Sequence, residues 1–217
     1  MKSLIIAASL LIGFQAQAAK KAKARKFKVT IVNLTKGQPM TPALVAVHAP
    51  GFELFHLGQA ASKGLQVQAQ DGDTSILTKE LKNSKSVVRT AMGAGVFLPG
   101  QKQEIEVEAN NPYFKISLTS MLARTNDAFA AVQGISTALK VGQKIIKLAK
   151  VYDAGAEENT EACAHIPAPP CDSPMSGTNS GEGFVRPHEG INGTGDLELG
   201  RDTFSSVVAK VIVERIQ

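Results

Sequence analysis

The sequence predicts an all-β protein, an antiparallel β-sandwich of about eight short strands with short helices and long loops. Short runs of alternating sequence, rich in β-branched residues, recur along the chain and are typical of half-buried strands. A helical period interrupts them between residues 60 and 81. Residues 154–200 are rich in Gly, Pro, Ser, Asn and Glu, a composition that predicts irregular loops.

The predicted strands are short and are separated by turns that contain Gly, Pro or Asn. They cover residues 27–34, 44–48, 52–56, 96–98, 104–109, 113–122, 145–152 and 207–216. In the first strand Phe27, Val29 and Ile31 share one face, because side chains alternate along a strand. In the strand at 104–109, Ile105 and Val107 face the core and the alternate glutamates face solvent.

Two short helices are predicted at residues 60–70 and 75–81. Between them lies Asp71-Gly72-Asp73-Thr74, in which Thr74 is a candidate N-cap for the second helix. The Asp-x-Asp pattern also occurs in calcium loops, but the terminal Glu of an EF-hand loop is missing. We therefore expect a capped turn here.

The N-terminus predicts export. Residues 1–18 have the features of a signal peptide, with Lys2, an apolar stretch and a small-x-small site at Ala16–Ala18. The apolar stretch is shorter than the roughly 20 residues that span a bilayer; a buried core helix is the alternative. We expect residues 19–26 to form a basic flexible tail, residues 27–217 to form one domain, and the protein to be secreted or held in the periplasm or cell envelope.

The formal net charge of +5 comes from the N-terminal residues. Six of the 24 basic residues precede Phe27, and the rest of the chain is close to neutral. The sequence therefore gives little support to a nucleic-acid-binding domain. The tail is either a solvated terminus or a peripheral contact with anionic lipid or polysaccharide.

The two cysteines, Cys163 and Cys171, are separated by a Pro-rich segment. In an exported protein an even number of cysteines favours a disulfide. A metal site that includes His165 is the alternative, although no further ligands are evident nearby. We therefore predict a Cys163–Cys171 disulfide.

Familiar catalytic motifs are missing from the sequence. It contains no Gly-x-Ser-x-Gly elbow, no His-Glu-x-x-His pair and no Gly-rich phosphate loop. The four histidines, His48, His56, His165 and His188, are scattered without ligand spacing. We predict no catalytic residues, no organic cofactor and no enzymatic activity.

Three acidic residues are the candidates for shared chemistry. Asp153 and Glu157 flank the turn residue Gly155, and Asp127 lies in a separate Thr-Asn-Asp loop. Converging carboxylates need a proton or a cation, and in an exported protein calcium is the expected cation. The alternative is that the aspartates cap turns by accepting hydrogen bonds from nearby amides.

Several segments in order resemble spondin domains. They are Phe27–Pro39, Pro50–Phe55, Gly64-Leu65 with Asp71–Thr74, Leu98-Pro99-Gly100, Ser120–Leu122 with Thr125–Phe129, Tyr152-Asp153-Ala154-Gly155-Ala156-Glu157 and Val208–Val211. Together they span roughly residues 27 to 216, and it is their order and spacing rather than any single piece that is specific. The chain is similar to the stand-alone bacterial version of this domain.

The resemblance implies a C2-like antiparallel β-sandwich that holds a calcium ion in loops at one end. Its acidic metal positions correspond to Asp127, Asp153 and Glu157. Ala156 departs from the pattern, because a Thr is usual there. In animals the domain occurs in F-spondin and mindin, matrix proteins of adhesion and recognition.

We therefore expect a calcium-binding adhesion or recognition module at the cell surface or in extracellular matrix. Its partner would be an unidentified extracellular protein or polysaccharide. Two other functions stay open. One is a metal-assisted hydrolase that uses the same acidic cluster, and the other is a structural envelope protein docked through its basic tail.

Overall fold

The computed structural model describes residues 24–173 and 180–217. The predicted signal peptide and the first part of the predicted tail lie outside the described residues. Strand β1 begins at Arg25, two residues before the predicted start of the domain. Within it, Lys26 pairs with Glu108 of the neighbouring strand. Arg25 and Lys26 are thus part of the sheet and not of a flexible tail.

Antiparallel strands dominate the described residues, and the predicted fold class is confirmed. The elements are β1 Arg25–Asn33, β2 Leu44–His48, α1 Lys63–Asp71, α2 Ser75–Asn83, β3 Val87–Met92, β4 Lys102–Ala109, β5 Lys115–Met121, β6 Ala128–Ser136, β7 Lys144–Asp153, a 3₁₀ turn Cys163–His165, β8 Arg186–Pro187, α3 Leu199–Asp202 and β9 Val207–Arg215. None of the described helices has the length and apolar character needed to cross a membrane.

The strand order is β3-β2-β5-β6-β7-β9-β1-β4, and β8 pairs with β7. Strand β6 pairs with β7 through residues 128–131 and 150–153 alone. The two strands separate beyond this short ladder, so the sheet folds into two layers. One layer is β3-β2-β5-β6 and the other is β7-β9-β1-β4. At the far side Arg89 of β3 lies 3.9 Å from Glu108 of β4, which nearly closes the sheet into a barrel.

The main core lies between the two layers. Phe27, Val29 and Ile31 are fully buried there, as the alternation predicts, and Ile105 and Val107 from β4 are buried beside them. Full burial of a side chain of this size contributes about 1.5–3 kcal/mol. Aliphatic residues supply most of this core, which matches a chain whose aromatic content is 5%.

A second apolar layer covers the outer face of β2 and β6. Leu65 of α1 and Leu77 of α2 pack there against Leu44 and Phe129. The ring of Phe129 meets the ring of Phe55 at a centroid distance of 5.1 Å in an edge-to-face arrangement. The helices therefore bury the side of the sheet that the main core does not reach.

The prediction of a strand at residues 52–56 is wrong. The backbone N–H of Leu54 donates to Gln133 Oε1 at 2.5 Å, and the carbonyl of Phe55 accepts from Gln133 Nε2 at 3.1 Å. One glutamine side chain thus satisfies the backbone groups that a neighbouring strand would otherwise pair. The predicted strand at 96–98 is reduced to a single bridge between Met40 and Phe97.

Strands β3 and β6 were not predicted. In β6 the alternation is hidden, because Ala128 and Ala130 face the main core while Phe129 and Ala131 face the helical layer. A strand buried on both faces has no polar face to give it a period of two. Strand β3 follows α2 after a short turn and is half-exposed, which leaves a weak apolar signal.

The turn between the helices is capped as predicted, but by a different residue. Asp73 Oδ1 accepts the backbone N–H of Ser75 at 2.8 Å. Thr74 occupies the N-cap position, yet its hydroxyl donates to the sulfur of Met92 at 3.0 Å. The capping role therefore belongs to Asp73.

The Cys163–Cys171 disulfide is confirmed, with a Cα–Cα distance of 4.6 Å. It closes a short ring in the long loop region after β7. Beside it, Ile166, Ile191 and Leu197 form a small buried cluster. The loops are thus held by a covalent bond together with a satellite core.

Candidate metal site

Asp127 and Asp153 meet where the two layers join. Asp127 directly precedes β6, and Asp153 is the last residue of β7. Ala128 pairs with Asp153 across the ladder, and the N–H of Ala154 donates to the carbonyl of Asp127 at 3.2 Å. Sheet register therefore brings together two aspartates that are distant in sequence.

The loop that carries Asp127 is held by Thr125. The Thr125 hydroxyl donates to the Leu122 carbonyl at 2.7 Å and accepts the N–H of Ala128 at 3.0 Å. Thr125 therefore closes a tight turn between β5 and β6. This turn directs the Asp127 side chain toward residues 156–157.

The side chain of Asp127 is fully buried. Its Oδ2 accepts the backbone N–H groups of Ala156 at 2.7 Å and of Glu157 at 3.1 Å. Its Oδ1 is buried and has no hydrogen-bond partner within residues 24–173 and 180–217. A buried carboxylate oxygen without a partner is costly, because the group has lost its hydration.

The pKa of Asp127 reflects this environment. Burial, followed by the negative charge of Asp153, raises it from 3.8 to about 8. The charge of Glu157 acts in the same direction, while the two N–H groups on Oδ2 act against it. In the absence of a cation, Asp127 therefore favours the protonated form at neutral pH.

Asp153 is also fully buried, but both of its oxygens have partners. Oδ1 accepts the N–H of Gly155 at 2.7 Å, and Oδ2 accepts from Asn159 Nδ2 at 2.6 Å. Arg186 Nη2 lies 3.1 Å from Oδ2. Burial raises the pKa of Asp153, whereas these hydrogen bonds and the Arg186 charge oppose the rise.

Glu157 is held between a helix and the Asp127 loop. Its Oε1 accepts from Gln70 Nε2 of α1 at 2.9 Å, and its Oε2 accepts from Asn126 Nδ2 at 3.4 Å. Its side chain is fully buried. All three predicted residues therefore lie in one buried region where two loops and a helix converge.

The three carboxylates do not already form a closed cage. Among the described His, Cys, Asp and Glu side chains, no group of three converges as a metal-binding cluster. The hydrogen bonds explain this, since Asp153 is directed to Asn159 and Arg186 while Glu157 is directed to Gln70. Among the carboxylate oxygens of the three predicted residues, Asp127 Oδ1 is buried and has no hydrogen-bond partner in the described chain.

Sequence reasoning missed the polar residues that surround the cluster. They are Gln70, Asn126, Asn159 and Arg186. Asn126 and Asn159 lie next to the predicted acids, so the local amide-rich sequence gave a signal for them. Gln70 and Arg186 arrive from a helix and from the two-residue strand β8, and nothing in the sequence near Asp153 points to either.

Glu161 anchors the loops beyond the cluster. It is nearly fully buried and adopts a left-handed φ of 55°. Its carboxylate accepts the N–H groups of Asn192 at 2.5 Å, Gly193 at 2.7 Å and Thr194 at 3.0 Å. Its own N–H donates to Asn126 Oδ1 at 3.2 Å. The residue before Asp127 is thus connected to the loop near residue 193.

The donor set suits a hard cation. The acidic cluster consists of carboxylates together with the backbone and side-chain amides that bond to them, and the described residues near it bring no thiolate or imidazole. Calcium and magnesium prefer oxygen ligands, and calcium accepts irregular arrangements of them. The orphaned Asp127 Oδ1 fits such an ion, whereas Asp153 already has the Arg186 guanidinium as its countercharge.

Three of the four histidines form packing or surface contacts. His48 is buried, with Nδ1 2.8 Å from the Ala49 carbonyl and Nε2 2.7 Å from Ser117 Oγ. His56 forms a surface pair with Glu53 at 2.8 Å. His188 packs edge-to-face against Phe204.

A comparison with protein-family models decides the family. The Spondin_N model matches residues 25–187, three quarters of the chain, including all three candidate acids. This chain belongs to the Spondin_N family. A search of curated proteins finds no match to this spondin domain. Membership of the family supports an extracellular recognition-type module.

Proposed function

We propose that this spondin domain is a secreted calcium-binding module for adhesion or recognition at the cell surface or in extracellular matrix, and that it performs no catalysis. One observation carries the proposal. Asp127 is fully buried, and its Oδ1 lacks a partner in the described chain. A bound cation would supply the missing partner and remove the cost of the buried charge.

Asp127 would anchor the ion. Asp153 and Glu157 would supply further carboxylates, with backbone carbonyls and water completing the shell. Calcium would contribute a double positive charge in the buried region that holds the three acids. Part of the present hydrogen bonding of Asp153 and Glu157 would be exchanged for metal ligation.

Burial of the acids favours a structural ion over a catalytic one. Asp127, Asp153 and Glu157 each have 0% of their surface exposed. A hydrolytic site needs an open ligand position that substrate can reach. Carboxylates buried in this way suit an ion that fixes loops.

The loops fixed by the ion would form the recognition surface. Residues 157–161 connect the acidic cluster to the loop near residue 193 through Glu161. Calcium at Asp127 would therefore order residues 157–161 together with the loop near residue 193. An extracellular protein or polysaccharide is the partner that we propose for this surface.

Thermal unfolding and calorimetry test the calcium site. We expect millimolar calcium to raise the Tm of the wild type, and Asp127→Asn to abolish the shift. Glu106→Gln is the matched control, because Glu106 carries the same charge on an exposed strand face. Its calcium response should equal that of the wild type.

Asp127→Asn also separates a metal site from a merely protonated acid. The amide keeps the shape of the side chain and removes its charge, so the metal-free variant should be at least as stable as the wild type at pH 8. The proposed site would be refuted if calcium left the Tm of the wild type unchanged and calorimetry detected no calcium binding.

A further inference from the structure

The segment from Lys140 to Lys150 has an unusual composition for an exposed strand. It contains four lysines, and no acidic residue occurs between positions 128 and 152. Three of its aliphatic side chains are more than half exposed, namely Val141 at 62%, Ile146 at 60% and Leu148 at 56%. Solvent-facing cations and aliphatic groups therefore alternate along one stretch of chain.

Ile146 and Leu148 lie on the outer face of the β7 layer. The neighbouring residues Ala149 and Val151 belong to the main core, which sets the direction of the alternation. Across the ladder Ile146 is opposite Ile212, and Leu148 is opposite Lys210. Isoleucine, leucine and lysine side chains thus form one patch over β7 and β9.

The helical layer leaves this patch uncovered. Its apolar cluster reaches Tyr152 at the end of β7. Strand β6 likewise pairs with β7 only from Lys150 onward. The first half of β7 therefore presents its outer face to solvent throughout the part of the structure that is described.

The charge of the patch is predominantly positive. Lys144 is paired with Glu214 of β9 at 3.3 Å. Lys150 and Lys210 have no ion pair with any described residue. Lys147 is opposite Val211 of the main core and therefore lies on the other face of β7. Two cations, Lys150 and Lys210, thus remain uncompensated beside two exposed aliphatic side chains.

We propose that this patch, formed by Lys144, Ile146, Leu148, Lys150, Lys210 and Ile212, binds an anionic lipid surface. Lysines near such a surface gain electrostatic energy, and their long stems allow the amines to stay at headgroup level. Ile146 and Leu148 gain by leaving water for the boundary between headgroups and acyl chains. A soluble anionic polymer would use the lysines alone, so the exposed aliphatic pair favours lipid.

A tryptophan probe tests insertion directly, because the chain contains no tryptophan. Leu148→Trp places the fluorophore on the patch, and Leu57→Trp places it at a similarly exposed site in the loop before α1. The exported form of each variant is mixed, in chelator, with vesicles of phosphatidylcholine and roughly one third phosphatidylglycerol. We expect a blue shift for Leu148→Trp, none for Leu57→Trp, and none for either with pure phosphatidylcholine.

Charge variants give a second, independent measurement by vesicle co-sedimentation. Lys150→Gln combined with Lys210→Gln should weaken binding by about tenfold or more, because each lysine near an anionic surface contributes substantially. Lys79→Gln combined with Lys82→Gln on α2 removes the same charge elsewhere and should weaken it far less. The basic tail is present in every variant, so its contribution cancels.

Substitution of the aliphatic pair, Ile146 and Leu148, distinguishes lipid from other partners. Ile146→Ser combined with Leu148→Ser should weaken vesicle binding and leave retention on immobilised polyglutamate unchanged. Equal vesicle binding by this variant and the wild type would overturn the proposal in favour of a purely ionic contact. A different result would point to a second copy of the chain as the partner and overturn the lipid proposal. In that case the wild type self-associates, the double Ser variant does not, and Leu148→Trp shows no blue shift.

Discussion

Arg186 places its guanidinium 3.1 Å from Oδ2 of Asp153, a carboxylate that the sequence predicts as a metal ligand. The arginine comes from β8, which pairs with the end of β7. It also contacts Glu182, and it lies 3.0 Å from Glu189. A side-chain cation and the proposed calcium would therefore share one acidic region, and each would affect the binding of the other.

Arg186→Gln tests this competition. Without the guanidinium, Asp153 keeps its hydrogen bonds but loses its countercharge, so the metal-free variant should lose about 3 kcal/mol of stability. Calcium would then meet a more negative site, and the calcium-induced rise in Tm should exceed that of the wild type. Differential scanning calorimetry with and without calcium measures both effects.

The control for Arg186 is Arg201→Gln. Arg201 pairs with the buried Asp202 at 2.7 Å, in a different part of the loops. Its loss should lower the Tm without changing the calcium-induced shift. A smaller shift in Arg186→Gln than in the wild type would mean that the arginine organises the site and does not compete for it.

Gly155→Ala should be more damaging than an ordinary glycine substitution. Gly155 has a φ of 65°, and a Cβ there would overlap the backbone of Phe184. Gly100 has a φ of 77°, but nothing lies within 4 Å of its Cβ position. Gly100→Ala should therefore cost only the left-handed penalty of about 1–2 kcal/mol. Urea unfolding should show a clearly larger loss for Gly155→Ala, together with a weaker calcium response, and equal losses would contradict the packing argument.

Loss of the disulfide should loosen the loops more than the sheet. Replacing Cys163 and Cys171 by Ser removes a short ring, whose closure contributes about 2–3 kcal/mol in the chain-entropy model. Hydrogen exchange should speed up around Ile166 and Ile191, while amides of β1 and β9 stay protected under native conditions. Reductant should reproduce the effect in the wild type and have none in the double variant.

The success of the sequence prediction depended on where each strand lies. Alternation predicted β1 and β4 well, because one face of each meets the core and the other meets solvent. It failed for β6, whose alanines pack on both faces, and for residues 52–56, where Gln133 replaces a partner strand. Short-range patterns cannot show that a side chain from another strand will satisfy a backbone.

Only part of the candidate site was predicted, because some of its contacts also come from residues that are distant in sequence. Asp153 and Glu157 are close in sequence, Asp127 lies in a separate Thr-Asn-Asp loop, and the resemblance to spondin domains assigned all three to one metal site. The ladder between β6 and β7 then explains why Asp127 and Asp153 meet. Arg186 could not be predicted, because its contact depends on the path of the loop that carries the two-residue strand β8.

His188 should make stability depend on pH. Its Nδ1 accepts the N–H of Gly190 at 2.9 Å, and its Nε2 is buried without a partner among the described residues. Burial, followed by the nearby charge of Arg186, lowers its pKa from 6.5 to about 4, although Glu189, Glu182 and Glu161 act against this. The unfolded chain therefore binds a proton more readily than the folded protein.

The contribution of neutral His188 is fully present above pH 6.5 and is lost as the pH falls toward about 4, with a limiting slope of about 1.4 kcal/mol per pH unit. His188→Asn keeps an acceptor for Gly190 and cannot titrate, so its stability should fall less than that of the wild type between pH 7 and pH 5. His56→Asn, at an exposed histidine, should retain the wild-type slope. Urea unfolding at a series of pH values measures the slopes, and identical slopes for the wild type and His188→Asn would show that His188 is not the group responsible.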